Sequence, residues 1–63
     1  MSIELKMHHP NKSRIEASIL CEDRYVGWIE RSKTHYIVFI DSQRLGEFVE
    51  WKECFDFIKE YLS

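Results

Sequence analysis

Glycine and proline are scarce in this 63-residue chain, with two of the first and one of the second. So few breakers leave no linker or low-complexity segment, and Gly27 and Gly46 stand too far apart for a phosphate-cradling loop. The two cysteines, Cys21 and Cys54, are too few for the disulfide framework of a small secreted domain. No apolar stretch approaches the ~18 residues of a membrane span, and no apolar run follows a basic start as in a signal peptide. A basic excess is missing too. The formal net charge is -2, whereas a duplex-DNA binder sets many cations against phosphates. These absences predict one cytoplasmic domain with reduced, buried thiols and no membrane contact.

What is present is apolar side chain. Hydrophobic residues make up 44% of the chain and aromatics 14%, a content that argues against disorder. A chain this short buries only about 60% of the surface it exposes when unfolded, so its core must be economical. The longest unbroken apolar run is Tyr36-Ile37-Val38-Phe39-Ile40, all β-branched or aromatic, which predicts a strand inside a sheet over residues 35–41.

Alternation supplies its partners. Residues 2–8 form a strand with Ile3, Leu5 and Met7 on one face and Glu4, Lys6 and His8 on the other. A connection at residues 9–13 follows, marked by Pro10 and Asn11. A second strand at residues 14–21 directs Ile15, Ala17, Ile19 and Cys21 to the core, leaving Leu20 on the polar face. After Glu22-Asp23, a third at residues 24–31 puts Tyr25, Gly27 and Ile29 opposite Val26, Trp28 and Glu30. Gly27 there signals a bulge or the close approach of a neighbour. Asp41-Ser42-Gln43 turns the chain into a fifth strand at residues 44–48. Connections of about three to five residues imply antiparallel neighbours in a meander.

The period then changes. Over residues 50–62, Trp51, Cys54, Phe55, Phe57, Ile58, Tyr61 and Leu62 fill one arc of roughly 160° at helical spacing. Glu47, Glu50 and Glu53 favour the positive end of such a helix. The expected architecture is α+β: an antiparallel meander of three to five strands with one C-terminal amphipathic helix on one face.

One helix covers one face. The other face exposes either Ile37 and Phe39 or Tyr36, Val38 and Ile40, beside Trp28 and Leu20. Contiguous exposed apolar surface marks binding sites. Trp28, Tyr36 and Phe39 on the sheet face, and Phe57 and Tyr61 on the wide edge of the helix, are therefore the candidate partner-binding residues, with either another protein or a second copy of this chain as partner. The alternative is nucleic acid, held by bases stacking on those aromatics and by Arg14, Arg24, Arg31, Lys33 and Arg44 following the phosphates.

The path from Tyr36–Ile40 through Arg44-Leu45-Gly46-Glu47-Phe48 into a helix with Glu53-Cys54 resembles the arm-binding domains of phage-type integrases. It is similar also to the plant ethylene-response DNA-binding domain. The likeness covers about the last half of the chain and rests on Leu45, Gly46 and Phe48. It implies three strands and a Leu-Gly-x-Phe turn leading into a helix. Those families read DNA with many Arg and Trp residues on the sheet face, and this sequence has few.

No chemistry is legible. His8, His9, His35, Cys21 and Cys54 lack the spacing of a metal site. Cys21 and Cys54 read as small core hydrophobes without a bridge. We expect no cofactor, no metal, no small-molecule substrate and no enzyme, but a small regulatory or accessory module that acts by binding.

Overall fold

The computed structural model describes residues 2–8 and 14–63, and the connection expected at residues 9–13 lies outside the described residues. Five strands, β1 (Ile3–Met7), β2 (Ile15–Cys21), β3 (Arg24–Arg31), β4 (Tyr36–Ile40) and β5 (Gln43–Phe48), precede one helix, α1 (Trp51–Leu62). The strands lie in the order β1-β2-β3-β4-β5, and every neighbour is antiparallel. The fold is therefore an α+β meander with its helix laid on one sheet face. β4 is interior as its composition requires, although the middle of the sheet is β3.

The helix decides which side of β4 is inside. Val38 is fully buried and Ile40 nearly so, and both join Ile19, Ile29, Cys54 and Ile58 in the core. Ile37 and Phe39 consequently point to the open face. At the start of α1, the Glu50 N–H donates to Glu53 Oε1 at 3.1 Å and the Glu53 N–H to the Glu50 carbonyl at 3.1 Å. These bonds satisfy donors that a helix N-terminus otherwise leaves bare. Trp51, Phe57 and Leu62 pack around the buried Cys54 and Ile58.

The hairpins are tighter than their composition suggests. Both β2–β3 and β4–β5 turn on two residues, Glu22-Asp23 and Asp41-Ser42, with φ of 54° and 64° in the first and 55° and 64° in the second. Such left-handed pairs match the right-handed twist of the flanking strands. Each returning strand then carries a bulge at its third residue. Register skips Val26 in β3, between the pairs Leu20–Tyr25 and Ile19–Gly27. It skips Leu45 in β5, between Phe39–Arg44 and Val38–Gly46. The two hairpins repeat one device: a two-residue turn, two paired residues, a bulged aliphatic and a glycine.

The bulges correct the expected faces. Strict alternation puts Val26 beside Trp28, but the bulge redirects it, and Val26 and Leu45 both pack against the core. A third irregularity skips Glu16 in β2, so Ile15 pairs with Glu30 and stays outside the core cluster it was expected to join. Cys21, expected to be buried, is only half-buried near the turn. The Leu45-Gly46-Glu47-Phe48 motif lies within β5 and is not a turn.

Gly27 meets both readings of a strand glycine. It follows the bulge, and an added Cβ would collide with the Phe39 carbonyl oxygen and come within 2.9 Å of Ile40 Cα. Backbone cannot yield as a flexible side chain can. Gly27→Ala is expected to lower unfolding free energy by about 1–3 kcal/mol, measured by urea denaturation.

Candidate functional site

The uncovered sheet face is ordered by register into rows. Residues paired across antiparallel strands share a face. One row runs across all five strands as Lys6, Ser18, Trp28, Phe39 and Arg44. Beside it lie Glu30, Ile37 and Glu47, and on its other side Glu4, Leu20 and Tyr25. The face is thus an aromatic and aliphatic centre within a border of both charges.

At its middle the Trp28 and Phe39 rings stack, with centroids 4.9 Å apart and planes 8° from parallel. Trp28 is held further by its indole N–H, which donates to Glu30 Oε2 at 2.9 Å. This bond satisfies the one polar group of the side chain and fixes the ring upright, because residues two apart on a strand share a face. Tyr25 stands 59% exposed at one end of the patch. Glu47 is engaged by Arg44 and approaches His35 Nε2 at 3.5 Å. Ser18 Oγ lies 2.7 Å from His8 Nε2.

The five expected partner-binding residues therefore divide. Trp28 and Phe39 meet on the open face. Tyr36 is on the helix side, its ring edge-on to Trp51 with centroids 5.1 Å apart. It belongs to the packing under α1 and is withdrawn from the open face. Phe57 packs on Phe48 at 5.1 Å and stacks on Tyr61 at 5.9 Å, and Tyr61 is 50% exposed at the helix edge.

The basic residues divide also. Arg14, Arg31 and Lys33 border a concavity of about 310 Å³ with Glu30, Ser32 and Ile37. Arg44 stands in the aromatic row, already paired with Glu47. Arg24 belongs to neither group and pairs with Cys21 beside the Glu22-Asp23 turn.

Sequence reasoning missed a second apolar feature. On the helix side, Leu5, Trp51, Lys52 and Phe55 line an open groove of about 600 Å³ between α1 and β1. Its signal was the breadth of the helix's apolar arc, wider than one line of contact with a sheet uses.

Among the described residues, no three His, Cys, Asp or Glu side chains converge as a metal site would require. Cys54 is sealed under the helix. Burial, with the nearby Glu53 charge adding to it, pushes its thiol up from 9.0 to about 11. The unfolded thiol ionises first as pH rises, so this contribution to stability is whole below pH 9 and is lost between 9 and 11. Native protein at pH 8 should therefore expose one fast thiol to a disulfide reagent, at Cys21. Cys54 should react only on unfolding, as a time course with Cys21→Ser would resolve. Compared with protein-family models, with curated proteins and with solved structures, the chain matches none.

Proposed function

We propose that this chain is a protein-interaction module that acts by binding and not by catalysis, through the open face of its sheet. The observation that carries the reading is the Trp28–Phe39 stack at the centre of a face that no element among the described residues covers. A rigid aromatic pair loses little side-chain entropy on binding, and large aromatics are the usual anchors of protein interfaces. The partner segment would set apolar side chains against Trp28, Phe39 and Ile37 and a cation against Glu30 and Glu47. Regulatory or accessory work in the cytoplasm fits a small binding module with two free cysteines.

The same stack weighs against base binding. Bases lie on rings that offer a free face to solvent. Here each ring turns a face to the other, and carboxylates occupy the adjacent row. One observation favours nucleic acid as a second reading: Arg14, Arg31 and Lys33 gather around one concavity. If phosphates bind there, a single-stranded oligonucleotide should change tryptophan emission, with affinity falling steeply as salt rises. A flat titration removes that reading.

For the protein-binding reading, Phe39→Ser and Trp28→Ser should each weaken partner binding by about 2 kcal/mol, measured calorimetrically, as central aromatic anchors do. Both variants should keep a cooperative thermal transition. Unfolding of both would return these residues to the core, and undiminished affinity would move the interface elsewhere.

A further inference from the structure

The two edges of the sheet are not alike. β5 carries the Leu45 bulge, and its charged residues Arg44 and Glu47 already pair with each other. Bulges and engaged charges keep an edge from pairing with other strands. β1 has neither protection. Its register with β2 runs unbroken from Ile3 to Met7. Glu4 and Lys6 are exposed and have no ion-pair partner among the described residues.

The ladder shows which backbone groups of β1 are unused among the described residues. Ser2 accepts from the Glu22 N–H at 2.9 Å, and the His8 N–H donates to the Glu16 carbonyl at 3.1 Å. Even-numbered residues therefore point their backbone groups at β2. By the alternation of an antiparallel ladder, Ile3, Leu5 and Met7 point theirs off the edge.

We propose that β1 pairs with β1 of a second copy of this chain, antiparallel about a two-fold axis at Leu5, joining two sheets into one. The strand is self-complementary in this register. Leu5 faces Leu5, and Ile3 faces Met7, as hydrogen-bonded pairs that use every outward N–H and C=O of the three residues. Glu4 of each copy falls opposite Lys6 of the other in the non-bonded positions, where side chains come closest. An edge with charges of one sign would repel its own copy, and this one attracts it. A shift of one residue would end that match and would set the spent backbone groups of Glu4 and Lys6 against the outward ones of the partner.

The apolar side chains agree with the charges. The two-fold axis stands perpendicular to the sheet, so both helices occupy the same face. Met7, which is 42% exposed in one chain, then meets Ile3 of the other. The grooves lined by Leu5, Trp51 and Phe55 come side by side across the joint. Closed two-fold association also relieves a core limited by chain length. The open face with Trp28 and Phe39 stays clear, so self-association and the proposed partner binding are independent.

Sedimentation equilibrium of the wild-type chain and three charge variants tests the register. Wild type should show a monomer–dimer equilibrium. Glu4→Lys alone and Lys6→Glu alone each place like charges opposite one another and should weaken the dimer about tenfold or more. The double exchange Glu4→Lys with Lys6→Glu should restore it. Mixing the two single variants should also form dimers, because each then supplies the charge the other lacks. Both charged positions are exposed on the strand, and circular dichroism should show the same fold throughout. A wild type that is monomeric up to millimolar concentration overturns the proposal. So does a dimer indifferent to the single changes, or one that neither the double exchange nor the mixture restores.

Discussion

A twelve-residue helix has to cover a sheet five strands wide. A helix with its side chains is about 10 Å across, while five strands about 4.8 Å apart span roughly twice that. This shortfall of cover shapes the remainder of the molecule. It concentrates the core at Ile19, Ile29, Val38, Ile40, Cys54 and Ile58. It leaves β1 with an apolar groove beside it, and it leaves the opposite face with no second layer among the described residues. The bulges at Val26 and Leu45 are part of the same economy. Each adds local twist and turns one more aliphatic side chain toward the helix.

The two open regions solve different problems. On the outer face the aromatic residues satisfy one another first, since Trp28 stacks on Phe39 and gives its indole N–H to Glu30. That face is prepared, with its rotamers fixed and its polar atom already bonded. The β1 edge is prepared in another way, through backbone groups without partners among the described residues and two charges of opposite sign. A rigid aromatic patch suits recognition of a different molecule, while a palindromic charge pattern suits recognition of itself.

How much of this was legible in the sequence depends on whether a feature is local. The helix was readable because its arc, from Trp51 to Leu62, is a property of one segment. β1 was readable because Ile3, Leu5 and Met7 alternate without interruption. Which side of β4 lies inward was not, because period two defines two faces and is silent on which is covered. Alternation therefore leaves Tyr36 as eligible for the open face as Phe39. Ile15 and Val26 escape a reading by alternation on a different ground: bulges depend on the partner strand, and nothing within residues 14–31 announces the skipped positions. Cys21 keeps its side of the strand and loses burial only by its place beside the turn. The resemblance in the second half of the chain pointed to strands followed by a helix, which the structure contains, but it assigned to a turn residues that lie in β5.

The repeated hairpin has a consequence for how the chain reaches this state. Each strand joins only its sequence neighbours, so loop closure is cheap at every step, and low sequence separation between contacts favours rapid folding. The order of assembly is nonetheless unequal. β4, β5 and α1 are consecutive and share the core, so they can condense as one local unit. β1 touches the sheet through β2 alone and contributes no fully buried side chain. In the single chain the N-terminal strand is therefore the last segment to be held and the first to open, and pairing with a second copy would hold it from its other side.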